Sequence, residues 1–253
     1  MTVSVETRGE VAIFTLQRPE FRNAINTETG IQLRQAVLDF EADDTLKVAI
    51  LTGAGGHFCA GADLKALDKD VSWNPDFRHG PLGPTWHTPS KPVIAAVEGY
   101  AVAGGLELAL WCDLRVAADS AVFGVFCRRW GVPLIDGGTV RLPRLIGESR
   151  AMDMILTGRA VDADEAFAIG LANRRCADGA ALQTALELAA TIAAHPQPCM
   201  LSDRNCVYAA AGNDFGTAMK VEGELGWAYL QSRGFAEGVA RFVGGAGRHG
   251  EGS

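Results

Sequence analysis

Two strand-like apolar runs, Val48-Ala49-Ile50-Leu51 and Val93-Ile94-Ala95-Ala96-Val97, each break into a stretch built largely of glycine and alanine. The first stretch is His57-Phe58-Cys59-Ala60-Gly61-Ala62-Asp63-Leu64. The second is Gly99-Tyr100-Ala101-Val102-Ala103-Gly104-Gly105-Leu106-Glu107. Each leads into a helix-like run, so the chain reads strand, small-residue turn, helix, twice over, which points to an α/β fold. Small residues let backbone N–H groups approach a ligand unobstructed, and a following helix N-terminus adds a field that favours negative charge. Two such turns can aim two amides at one oxygen, the arrangement that stabilises an oxyanion. Taken singly, either stretch is also ordinary turn chemistry. Neither has the G-x-G-x-x-G or G-x-x-x-x-G-K-[ST] spacing of a nucleotide loop, which removes the usual support for hydride or phosphate transfer.

Composition narrows the class further. A chain of 253 residues with 48% hydrophobic residues suffices for a full core with an appended part. The net charge of −7 and the lack of a basic block argue against nucleic acid as a partner. The first residues carry no basic region followed by an apolar one, and no apolar run reaches the ~20 residues of a membrane span. The expectation is a cytoplasmic protein without a membrane partner. Six cysteines without C-x-x-C spacing fit free thiols, and five scattered histidines offer no helical metal pair. No metal is expected.

Residues 3–5 and 11–16 around Arg8-Gly9-Glu10 read as a hairpin. A helical period over 27–40 follows Asn26, a suitable N-cap. Strands and helices alternate to about Gly158, and from Ala163 the pattern is nearly all helical, over 164–169, 180–194, 198–211 and 214–232. The expected organisation is a core at 1–195 and a helical region at 196–253. Residues 67–89 are irregular and are expected to cover part of a pocket. The glycine-rich end at 244–253 reads as flexible. Trp86, Trp111 and Trp130 are candidate pocket or core aromatics, with core the expected place for each.

Glu107 stands among apolar neighbours one turn into the helix that follows the second glycine stretch. Burial there raises a carboxyl pKa toward neutrality and suits it to proton transfer; the alternative is a solvent-facing glutamate on an amphipathic helix. Asp136 in Leu134-Ile135-Asp136-Gly137-Gly138-Thr139 is a second candidate, or else a turn or N-cap residue.

Phe58-Cys59-Ala60-Gly61-Ala62-Asp63-Leu64, Lys91-Pro92-Val93-Ile94-Ala95-Ala96-Val97-Glu98-Gly99-Tyr100-Ala101, Gly104-Gly105-Leu106-Glu107-Leu108-Ala109 and Cys112-Asp113 occur in order. With Leu16-Gln17-Arg18-Pro19-Glu20-Phe21-Arg22-Asn23-Ala24 and Leu156-Thr157-Gly158-Arg159, they resemble the crotonase family, also called enoyl-CoA hydratase/isomerase. The likeness spans nearly the whole chain and departs at the extreme C-terminus. It implies a crotonase-like spiral of β-β-α turns with a helical C-terminal trimerisation region, assembling as a homotrimer or as a hexamer formed by two trimers. It also implies acyl-CoA substrates and no cofactor other than the CoA carried by the substrate. By the same resemblance, the oxyanion amides fall at Ala62 and Gly104, and Glu107 matches one of the two catalytic glutamates of the hydratases. The substrate-binding set it implies is Arg22, Ala60, Asp63, Lys65, Cys127 and Trp130, with Arg22 and Lys65 toward the CoA phosphates. Solvated surface charge is the commoner fate of such an Arg or Lys.

The second hydratase glutamate falls at Cys127, a departure. A thiol is shorter than Glu, and its ordinary pKa of ~8.5 compares with ~4.3 for the carboxyl, so it does not hold and deprotonate water in the same way. Arg128 and Arg129 beside it could lower the thiol pKa and make it nucleophilic; an inert buried cysteine is the alternative. Asp136 occupies the place of the catalytic Asp found in dienoyl-CoA isomerases, in ring-opening isomerases of phenylacetate breakdown and in a dehalogenase. Together these residues predict enolate chemistry with Glu107 and Asp136 as acid and base, giving double-bond isomerisation or hydration in acyl-CoA metabolism. Thioester hydrolysis or C–C cleavage on the same scaffold, and a non-catalytic oligomeric acyl-CoA binder, are the alternatives.

Overall fold

The structure, a computed structural model, describes residues 1–66 and 80–245. The expected covering segment at 67–89 is therefore described only from Gly80 onward, and the glycine-rich end only at 244–245. The described chain divides into two compact units, Met1–Ile192 and Ala193–Ser253.

In the first unit the N-terminal hairpin forms as expected: β1 (Val3–Arg8) pairs antiparallel with β2 (Val11–Leu16) across a turn with Gly9 at φ +58°. Helix α1 (Thr27–Ala42) starts where the Asn26 side chain accepts from the Thr29 N–H at 2.9 Å. It buries Leu33, Ala36, Val37 and Phe40 along one stripe. β3 (Val48–Gly53) then pairs parallel with β2, and β4 (Val93–Val97) pairs parallel with β3. The first four residues of β3 and all of β4 are apolar and buried because both faces of this sheet are covered.

The chain continues through β5 (Tyr100–Val102), α2 (Gly104–Trp111), β6 (Leu114–Ala118), β7 (Val122–Gly124), a 3-10 turn at Phe126–Trp130, α3 (Gly138–Ile146) and α4 (Glu148–Thr157). After these come β8 (Ala160–Asp162), α5 (Ala163–Ala168), β9 (Arg174–Cys176) and α6 (Ala181–Ala194). Among the described residues a six-stranded sheet runs β1-β2-β3-β4-β6-β9 and a three-stranded one runs β5-β7-β8. β9 corrects the all-helical expectation after Ala163: Arg174-Arg175-Cys176 carry no strand periodicity, and pairing to β6 at the sheet edge imposes the conformation. Helix α2 buries all eight of its residues, which brings its one charged residue, Glu107, inside.

The second unit holds α7 (Gln197–Ala210), α8 (Phe215–Leu230) and α9 (Arg233–Val243). None of these helices buries a residue, and Phe215, Trp227 and Phe242 stand exposed. No helix among the described residues is long and apolar enough to cross a membrane.

Candidate active site

The two glycine stretches lie against each other. Cys59 N–H donates to the Tyr100 carbonyl at 2.8 Å, and Val102 N–H donates back to the Cys59 carbonyl at 3.1 Å. On its other side the first stretch is fixed by Ile25, which donates to the Gly61 carbonyl and accepts from Asp63 N–H, both at 2.8 Å. These bonds bypass the Ala62 amide between them. Glycine is required at the contact: a Cβ on Gly61, at φ +96°, would come within 2.7 Å of the Gly104 nitrogen, and one on Gly105 within 2.0 Å of the Cys59 carbonyl oxygen. The amides of Ala62 and Gly104 thus sit side by side at the start of α2, and among the described residues neither donates to a protein acceptor. Ala103, the residue before α2, is held at φ 53°, ψ −123°, a conformation that L side chains rarely adopt.

Glu107 and Asp136 are each only 2% exposed, which removes the solvent-facing alternative for Glu107. Glu107 Oε1 accepts from the backbone N–H of Asp136 at 2.9 Å and of Gly138 at 2.8 Å. The carboxylate on α2 is therefore seated on the very turn that carries Asp136. Burial pushes the Glu107 carboxyl up to about 7 against those N–H bonds, and the negative charge of Asp136 pushes in the same direction. Asp136 Oδ1 accepts from Leu82 N–H at 3.0 Å and from the Thr85 hydroxyl. Burial raises Asp136 as well, while these bonds and the Arg141 charge oppose the rise. Both buried carboxyls are thus raised by desolvation, and Glu107 carries the added push of the Asp136 charge.

Cys127 is buried beside them. Its thiol is pushed up, first by burial and then by the charge of Glu107, with Arg128 only partly offsetting. Of the two readings of this cysteine, the raised thiol favours the inert one: desolvation and the Glu107 charge outweigh the Arg128 charge, and the Arg128 and Arg129 guanidinium groups donate to the Ile155 and Gly158 carbonyls.

The remaining sequence-derived residues are spread more widely. Ala60 N–H donates to the Arg22 carbonyl at 2.9 Å, which brings Ala60 and Arg22 together, and the Arg22 guanidinium lies 4.9 Å from the centre of the Tyr100 ring. Asp63 is paired with buried Arg18 at 2.8 Å, and Lys65 is exposed next to it. Trp130 is 74% exposed, against the expectation of a core place, because the 3-10 turn ending at left-handed Gly131 turns it outward; Trp111 is in the core. Trp86 is half-buried and donates from Nε1 to the Ile135 carbonyl at 2.7 Å. Leu82, Thr85 and Arg141 also contact the Asp136 turn, and the sequence offered no signal for them.

A profile of the enoyl-CoA hydratase/isomerase family matches residues 6–246. The chain is 38% identical over 246 residues to enoyl-CoA hydratase EchA19 of Mycobacterium tuberculosis, covering 94% of this chain and 92% of that one. It is 41% identical over 186 residues to carnitinyl-CoA dehydratase of Citrobacter koseri, covering 72% and 70%. Among solved structures, enoyl-CoA hydratase EchA1 of Mycobacterium marinum superposes with a TM-score of 0.91 at 38% identity, covering 96% and 95% of the two chains. The profile match, the full-length likeness and the shared fold show that this chain belongs to the enoyl-CoA hydratase/isomerase family.

Proposed function

We propose that this protein moves the double bond of an enoyl-CoA thioester by proton transfer between Asp136 and Glu107. The observation that carries the reading is the seating of buried Glu107 on the turn that carries buried Asp136, next to the helix start where the amides of Ala62 and Gly104 sit side by side. In the forward step, ionised Asp136 takes the α-proton of a β,γ-enoyl thioester. The C–H electron pair moves toward the thioester oxygen, which the amides of Ala62 and Gly104 stabilise as it gains charge. Collapse of the dienolate forms the α,β double bond while Glu107 gives its proton to the γ-carbon. The proton on Asp136 then returns to Glu107. Each carboxyl has one oxygen committed to protein donors and one left for this exchange.

Cys127 supports proton shuttling over water addition, because a protonated thiol there supplies no second carboxylate to activate water. Hydration is the second reading, and the names of the relatives favour it; Asp136 would then orient the water. Arg22, Ala60, Asp63, Lys65 and Trp130 are proposed to line the approach of the CoA portion, with residues 80–87 covering the acyl end. The exposed apolar side chains of α7–α9 support these helices as the surface on which copies of the chain assemble.

Asp136→Asn and Glu107→Gln test the reading. Each is expected to lower isomerisation of trans-3-enoyl-CoA by at least about 100-fold, while calorimetric binding of a saturated acyl-CoA persists. Near-parental turnover in either variant would refute it.

A further inference from the structure

Asp136 is gripped from a segment remote in sequence, and the grip is more elaborate than a turn needs. Leu82 N–H and the Thr85 hydroxyl, both from the 80–87 segment, converge on Oδ1 alone. Oδ2 has no hydrogen-bond partner among the described residues. Thr85 itself is fully buried, and its carbonyl accepts from Arg141 Nη2 at 2.6 Å. The same guanidinium donates from Nη1 to the Asp136 carbonyl at 2.9 Å, so one planar fork ties the two segments together.

Two glycines make room for this assembly. A Cβ on Gly80 would lie 1.7 Å from Thr85 Oγ1 and 2.6 Å from Asp136 Oδ1, and one on Gly137 would lie 2.1 Å from Arg141 Nη1. Gly137 also holds φ +97°. Trp86 adds a third tie to the same turn through the Ile135 carbonyl.

We propose that Thr85 is the positioning residue of Asp136, with Arg141 holding Thr85 in register, and that this clamp makes Oδ2 the oxygen that exchanges the proton with substrate. The chemistry is directional. A hydroxyl that donates to Oδ1 stabilises the ionised carboxylate, and a proton arriving at the group goes to the oxygen that is not already accepting donors. The clamp therefore keeps Asp136 ready as a base and fixes the direction from which it reaches the substrate. It also makes the 80–87 segment part of the catalytic geometry, since displacing that segment removes both donors at once.

This inference rests on the proposed role of Asp136, and the test separates the two. Thr85→Val, Thr85→Ser and Asp136→Asn of the full chain are assayed for isomerisation of trans-3-enoyl-CoA across pH. Thr85→Val is expected to lower kcat about tenfold or more, the loss of one hydrogen bond to a charged group, with KM held within about twofold. Its acidic limb moves to higher pH, because an unsupported carboxylate takes up a proton more readily. Thr85→Ser restores both the rate and the limb. Arg141→Met, which removes the fork while leaving Thr85 in the chain, moves the limb the same way and serves if Thr85→Val does not fold. An unmoved limb in Thr85→Val or Arg141→Met, with Asp136→Asn inactive, overturns the clamp and leaves the role of Asp136 standing. An active Asp136→Asn overturns the role of Asp136 and the clamp with it.

Discussion

Replacing Glu107 with Gln is expected to remove activity and at the same time stabilise the fold at neutral and higher pH. The folded-state carboxyl is pushed from its ordinary 4.5 to about 7. Below 4.5 both folded and unfolded chains hold the proton, and Glu107 costs nothing. As pH rises through this window the unfolded chain releases its proton first, so stability falls by about 1.36 kcal/mol per pH unit and levels off once the folded chain also ionises. From 4.5 to about 7 the loss amounts to roughly 3 kcal/mol. Gln carries no such proton, and its Oε1 can accept the same N–H groups of Asp136 and Gly138 that the carboxylate accepts. The variant is therefore expected to match its parent near pH 4.5 and exceed it above pH 7, by roughly 6–12 °C in thermal midpoint for a chain of this size. Paired thermal scans from pH 4.5 to 8 at one protein concentration read this directly. A midpoint difference that does not change with pH, or a variant less stable at pH 8, would refute the claim that Glu107 is held protonated by burial.

Two further outcomes follow from the site. Cys127→Glu places a carboxylate where the resemblance puts the second hydratase glutamate, and it is expected to raise water addition to trans-2-enoyl-CoA by about tenfold or more; an unchanged hydration rate would show that this position does not govern water. Ala103→Gly removes a Cβ from a backbone held at φ 53°, ψ −123°. The relief of strain, less the larger freedom of Gly in the unfolded chain, predicts a gain of about 1 kcal/mol, read as a higher thermal midpoint; a lower midpoint would contradict it.

Much of the site was legible because its determinants are local. The Asn26 cap and the Gly9 turn act within a few positions of themselves, the small residues of 59–62 and 103–105 stand out as runs in the chain, and the apolar neighbours of Glu107 in α2 announce its burial. What escaped depends on tertiary contact. Thr85 meets Asp136 across 51 residues, and Arg18 meets Asp63 across 45, so neither partner predicts the other. β8 and β9 are three residues each, too short to show a period, and their strand character comes from pairing with β7 and β6. Trp130 shows the limit of reading bulk as burial: a large aromatic on a tight 3-10 turn follows the turn outward.

The central claim is proton shuttling between two carboxyls, and mass spectrometry in heavy water tests it most directly. Purified protein is incubated in D2O with trans-2- and trans-3-enoyl-CoA esters of several lengths. The account predicts deuterium uptake into the thioester with interconversion of the two double-bond isomers and no added water. A mass gain of one water, without double-bond migration, would contradict it and establish hydration instead.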